Sequence, residues 1–188
     1  MKELLTNIIN CTLCKEHLPL EPKPILRAHK DSKIVLIGQA PGRVVHKSGI
    51  DWDDQSGKQL RKWLGVSEET FYRDKNFAIL PMAFCYPGKA KTGDLPPRKE
   101  CAPQWHQSVI DHFESDPLYI LIGSYACKYY LEGKENLTHR VKNYHHYLPQ
   151  YFPIPHPSPV NRFWRSKNPW FETETVPQLQ QLIKNKLS

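Results

Sequence analysis

Hydrophobic positions along the chain fall into four short unbroken runs separated by longer amphipathic stretches. Lys33-Ile34-Val35-Leu36-Ile37 stops at Gly38, Phe77-Ala78-Ile79-Leu80 at Pro81, and Leu118-Tyr119-Ile120-Leu121-Ile122 at Gly123. Runs of this length, rich in β-branched and aromatic residues, fit strands buried on both faces. The fourth, Tyr151-Phe152-Pro153-Ile154-Pro155, carries two prolines, which cannot donate to a ladder and demote it to an edge strand or an extended segment. Between the runs the apolar period changes to that of a helix. Leu60, Trp63 and Leu64 share a face within 56–64, and Val109, Ile110 and Phe113 share one within 103–113. Residues 125–131 form a short aromatic stretch, and Val176, Leu179, Ile183 and Leu187 define a final helix with Pro177 in its first turn.

Strands alternating with helices predict an α/β fold: a single-domain, three-layer sandwich with a central, mainly parallel four-stranded sheet flanked by helices. Right-handed crossovers place the loops that follow the strands along one edge, where ligands of such sheets bind. Those loops are Gly38-Gln39-Ala40-Pro41-Gly42, Phe84-Cys85-Tyr86-Pro87-Gly88, Gly123-Ser124-Tyr125 and His156-Pro157-Ser158-Pro159. Two are Gly/Pro turns rich in backbone N–H groups and one brings a histidine, which together make a polar cleft on a stiff backbone.

The 188 residues suffice for one domain with a substantial core, and no Gly/Ser-rich linker or internal repeat divides them. Hydrophobic residues make up 39% and no run nears the ~18 apolar residues of a membrane span, so membrane and disordered classes are excluded. Polar Thr6 and Asn7 interrupt the N-terminus too early for a signal-peptide core, and a cytoplasmic protein is expected. The 26 basic residues against 19 acidic ones leave +7, which suits a phosphate-rich partner or plain solubility alike.

Five cysteines sharpen the picture. Cys11 and Cys14 form C-x2-C, whose two thiolates can reach one ion or cluster from a single tight turn. Cys85 and Cys101 flank a proline-rich loop and could complete a set of four. Such a set suits a [4Fe–4S] cluster or a structural Zn2+, while free thiols in a reducing compartment are the plain alternative; Cys127 reads as a packed thiol. One domain over residues 1–188 is expected, with 1–30 as an N-terminal metal-binding extension if the thiols take up a metal.

The Gly38–Gly42 turn after the first strand, paired with His156-Pro157-Ser158-Pro159 after the last, resembles the two signatures of the uracil-DNA glycosylase superfamily. C-x2-C followed by the Cys85/Cys101 pair is most similar to its iron–sulfur branch, family four, from Cys11 through the final helix. The resemblance implies a [4Fe–4S] cluster on Cys11, Cys14, Cys85 and Cys101, and DNA as the partner, bound by a monomer. It also implies a pocket for the extruded base built from Gly38, Ala40, Pro41 and Gly42, with Trp52 in the place of the family's stacking aromatic. The bland alternative for Trp52 is a core tryptophan.

Departures from the family pattern are specific. Gln39 stands where family four usually has Glu, Ala40 where the best-known branch has a catalytic Asp, and Pro81 where relatives have an asparagine that reads uracil. Cleaving an N-glycosidic bond expels the base as an anion and requires a placed water. His156 is the candidate donor to that anion, or else simply a His-Pro turn. Gln39 is a candidate for binding the base edge or polarising water, and Asp53 or Asp54 for the missing carboxylate, unless these cap the following helix. Ser158, Asn161 and Arg162 are candidates for the DNA backbone, with Phe163 or Val160 as a wedge, while Trp164 and Trp170 could anchor the last helix. The expected function is base excision of uracil or another deaminated base. An inactive DNA-binding member, or a protein that binds a free nucleobase or nucleotide, stays open.

Overall fold

A computed structural model describes residues 1–73 and 75–188. Each of the first three runs becomes a strand: β1 (Ile34–Ile37), β2 (Phe77–Ile79) and β3 (Leu118–Ile122). The proline-bearing run becomes β4 (Tyr151–Ile154). All pairings are parallel, in the order β2-β1-β3-β4. The sheet therefore has β4 at its edge, where Pro153 pairs with Leu121 in register and its missing N–H costs no ladder bond. The opposite edge, β2, is covered: Arg27 and Ile79 exchange backbone hydrogen bonds of 3.0 and 2.6 Å in an isolated antiparallel bridge.

Among the described residues nine α-helices complete the fold. They are α1 (Lys2–Ile9), α2 (Arg43–Ser48), α3 (Gln55–Leu64), α4 (Glu68–Arg73) and α5 (Cys101–Ile110). The remainder are α6 (Ser124–Tyr130), α7 (Leu137–Lys142), α8 (Arg162–Lys167) and α9 (Val176–Leu187). The alternation along β1 shows why three layers form. Ile34 and Leu36 face a core with Leu60, Trp63, Leu179 and Ile183 of α3 and α9. Val35 and Ile37 face a second core with Ile8, Val109, Ala126 and Cys127 of α1, α5 and α6. Each strand is thus apolar on both faces because each face is roofed by helices.

Most boundaries match the periodic reading within a residue. The exception is the helix expected over 103–113, which begins at Cys101 and gives way at Asp111 to tight turns that still tuck Phe113 against the second core. Trp164 and Trp170 do anchor the C-terminal helix region: both pack against the first core beside Phe171, and the Trp164 indole N–H donates to Thr138 Oγ1 at 2.8 Å. Among the described residues no helix is long and apolar enough to cross a membrane.

Candidate active site

Strand order reverses direction at β1, with β2 on one side and β3 on the other, so the loops leaving β1 and β3 diverge and open a crevice. A cavity of about 530 Å³ occupies that place. The turn Gly38–Gly42 forms one wall, Gly123 and Ser124 another, and His156 comes from the end of β4. The first turn is fixed by its own backbone: Gly38 and Gln39 carbonyls accept from the N–H groups of Met82 and Ala83 at 2.9 and 3.1 Å.

Trp52 enters from the loop before α3. Its backbone is left-handed, with φ of +53°, an uncommon and strained conformation for an aromatic residue. The surroundings hold it there. Asp51 pairs with Arg27 through two contacts of 3.2 Å, and the Tyr72 hydroxyl donates to the Asp51 carbonyl at 2.9 Å. Arg61, buried, donates to the Trp52 carbonyl at 3.3 Å. Asp54 caps α3 by accepting from the Gly57 N–H at 2.8 Å. Glycine is required at 57, because a Cβ there would sit 1.7 Å from the Trp52 carbonyl oxygen. Gly38 has the matching role on the other side: a Cβ would lie 2.9 Å from Trp52 Cζ2. The indole is partly packed on the first core and also lines the cavity.

His156 is oriented from behind. The Ser158 N–H donates to its Nδ1 at 3.2 Å, and the Asn161 side-chain amide donates to its carbonyl at 2.8 Å. An Nδ1 that accepts must be unprotonated, so the neutral ring carries its hydrogen on Nε2. Burial lowers the imidazole pKa to about 4, opposed by the negative charge of Asp54, so the ring is neutral at physiological pH.

The structure gathers Gly38, Gln39, Ala40, Pro41, Gly42 and Trp52 around one space, together with Asp54, His156, Ser158 and Asn161. Two candidates stand apart. Asp53 is exposed and outside the cavity wall, because the capping turn that draws Asp54 inward turns its neighbour out. Arg162 is exposed on α8, its guanidinium 4.8 Å over the Phe163 ring, and does not line the cavity. Pro81 does line it, and its carbonyl is engaged, accepting from His106 Nε2 at 3.0 Å.

A segment read as plain loop also contributes. Residues 88–95 fold as a small ribbon: Leu95 N–H bonds the Gly88 carbonyl at 2.8 Å, Lys89 and Asp94 form an antiparallel bridge, and Gly93 turns with φ of +74°. Thr92, Gly93 and Asp94 line the cavity from this ribbon. A glycine at each end of K-A-K-T was the available hint of a tight reversal.

Cys11, Cys14, Cys85 and Cys101 line a second, small cavity of about 20 Å³, with Phe84 and Arg98 beside them. Among the described residues no group of three or more His, Cys, Asp or Glu is placed to hold a single ion; the thiols surround a space. All are free, and burial raises Cys85 to about 11 and Cys101 to about 12. The Phe84 N–H points at Cys101 Sγ at 3.4 Å, the kind of donor that stabilises a thiolate ligand. Four soft donors in an apolar setting fit a thiophilic metal group. Cys127 is buried in α6, away from them.

A family model described as the uracil DNA glycosylase superfamily matches residues 27–180. The match takes in all four strands and the loops of the larger cavity; Cys11 and Cys14 lie before it.

Proposed function

The chain belongs to the uracil-DNA glycosylase superfamily, and on that footing we propose that it is a DNA base-excision glycosylase. It hydrolyses the N-glycosidic bond of uracil or another deaminated base that has been turned out of the helix into the cavity. The observation that carries this reading is the setting of His156: a neutral imidazole at the end of β4, locked through Nδ1 and carrying its proton on Nε2 beside Trp52.

A base leaving with the bonding electron pair develops negative charge on its carbonyl oxygen. A neutral Nε2–H donates to that oxygen without first having to lose a water shell, and its fixed direction removes reorganisation from the barrier. Trp52 supplies the face on which the extruded base stacks, while backbone groups of the Gly38–Gly42 turn meet its edge. Pro81 offers no amide at the position from which relatives read uracil, and the substrate class is deaminated bases broadly. Ser158, Asn161 and Arg162 lie on the segment that meets the DNA backbone. Val160 and Phe163, 73% and 65% exposed, form its apolar wedge. The protein acts as a monomer in the cytoplasm.

Cys11, Cys14, Cys85 and Cys101 would hold a [4Fe–4S] cluster, or a structural Zn2+ in its place. Bound there, such a group supplies a cross-link between the N-terminal extension and the loop after β2. Arg98 lies beside Cys14 and favours its thiolate, but it is paired with Glu100 at 2.6 Å, and burial and the Glu100 charge together hold the Cys14 pKa raised.

The test is an excision panel of single- and double-stranded oligonucleotides containing uracil, hypoxanthine or xanthine, run beside His156→Ala. Excision of at least one base, lost in the variant, supports the reading. A second reading, a DNA-binding member without catalysis, is favoured by Gln39 and Ala40 at the positions of the usual carboxylate; salt-dependent binding without turnover would establish it instead.

A further inference from the structure

We infer that Asp94 is the carboxylate that activates water in this cavity, and that Gln39 is a positioning residue that holds it there; the inference rests on the glycosylase reading above. The first turn carries no acid, yet an acid reaches the same space from across the gap. The ribbon 88–95 brings Asp94 over the turn, so that a Cβ built on Gly42 would lie 3.4 Å from Asp94 Oδ2. The Gln39 side-chain amide donates from Nε2 to the Leu95 carbonyl at 3.1 Å, one residue beyond Asp94. A carboxamide is required for that bond. A glutamate at 39 would set its oxygens against another oxygen and push the ribbon off. The residue that replaces the family's acid is thus the one that fastens a different acid in place.

The other nearby carboxylates are engaged. Asp51 is paired with Arg27, and Asp54 accepts the capping bond from Gly57. Asp94 makes no ion pair or side-chain hydrogen bond among the described residues. The titratable and charged groups that face it are Lys89 on its own ribbon, Asp54 at the start of α3, and the Tyr86 phenol, itself near Arg43. Partial burial raises the Asp94 pKa from its ordinary value, with Lys89 pulling it down and the Asp54 charge adding to the rise. A carboxylate whose proton affinity is raised in this way is better suited to take a proton from water than an ordinary one. In the step, the water oxygen bonds to the sugar C1′ as the C1′–N bond breaks, and its electron pair departs with the base. The water proton passes to Asp94 and on to solvent, while His156 Nε2–H supports the anionic base until solvent protonates it.

The test is single-turnover excision by the full-length protein as a function of pH, on whichever oligonucleotide of the panel the wild type cleaves best. Asp94→Asn and Asp94→Ser should lower the rate by on the order of 10²–10⁴-fold, remove the acid limb of the profile, and leave DNA affinity and melting temperature near wild type. Gln39→Ala should keep an acid limb but move it to lower pH, because the loosened ribbon lets Asp94 become more hydrated. Gln39→Glu should be slower than Gln39→Ala. A wild-type rate and unchanged acid limb in Asp94→Asn, with the wild type active, overturns the inference alone. A wild type that excises no base in the panel overturns the glycosylase reading and this inference with it.

Discussion

The rings of Trp52 and His156 lie 5.8 Å apart at the cavity, their planes 36° from parallel. A flat ligand stacked on the indole therefore has its edge near the imidazole; on the glycosylase proposal this would join recognition of a base to support of its departing charge. Trp52→Ala should weaken binding of a uracil-containing duplex relative to an undamaged one by about 1–3 kcal/mol. Gly38→Ala, whose Cβ would meet Trp52 Cζ2 at 2.9 Å, should reduce the same discrimination by moving the indole. Paired titrations by fluorescence anisotropy measure both; equal affinities for wild type and Trp52→Ala would remove stacking from the account.

His156→Ala should lower excision by on the order of 10²–10³-fold without a matching loss of affinity for DNA. With a pKa of about 4, the imidazole stays neutral above pH 5. Replacing it should therefore leave the position of any acid limb above pH 5 unchanged, and a limb that vanishes in His156→Ala would assign that limb to this ring.

Stability should fall on acidification because of a different histidine. His106 is buried with Nε2 on the Pro81 carbonyl, an acceptor only, so Nδ1 accepts from the Tyr130 hydroxyl at 2.5 Å. Burial lowers its pKa to about 4, against an unfolded value of 6.5. Between those values the unfolded chain binds the extra proton, so stability is complete above pH 6.5 and is lost as pH falls toward 4, by roughly 3 kcal/mol at most. His156 adds in the same sense. Urea unfolding at pH 7 and pH 4.5 checks this, and His106→Gln should flatten the difference; equal midpoint shifts in both proteins would exclude His106 as the source.

Purified protein should contain iron and sulfide, or zinc, in stoichiometric amount. Cys101→Ser or Cys11→Ser should lower that content and reduce the melting temperature by about 5–10 °C, as loss of a few kcal/mol would in a chain of this size. Cys127→Ala, outside the small cavity, should leave the metal content as it was. Elemental analysis with thermal melting decides; full content in Cys101→Ser would remove that thiol from the set.

Gly57→Ala should be more damaging than its position on a helix suggests. The added methyl group would fall 1.7 Å from a backbone oxygen, which has no rotamer by which to retreat. We expect a loss of several degrees in melting temperature together with weaker uracil discrimination. Retention of both would show that the Trp52 backbone can relax.

The strands were legible because parallel strands buried on both faces are apolar at every position, and the prolines of β4 placed it at the edge. Helices α2, α4, α7 and α8 escaped because each is only six residues long, and α1 because its eight residues span little more than two turns, too short for an apolar period to repeat clearly. The turn at Gly38 and the loop at His156 announced the cavity through glycine, proline and histidine, residue types whose backbone or titration behaviour is distinctive. Asp94 gave no such sign. Its place depends on ribbon closure and on a bond from Gln39, contacts between residues far apart in the chain. Asp53 and Asp54 were alike in sequence, and only the capping geometry of α3 separates them.

The loop that carries Trp52 is tied by Arg27 from before β1, by Arg61 of α3 and by Tyr72 of α4. Each tie comes from a different part of the first half of the chain, and none can be released without disturbing the packing beneath it. Segments joined in this way open together with the sheet they rest on. Amide hydrogens protected by this region should therefore exchange by the slow, global route, in contrast to the ribbon above it. On this expectation the Trp52 wall opens only with the sheet, and any faster exchange around the cavity falls on the ribbon side.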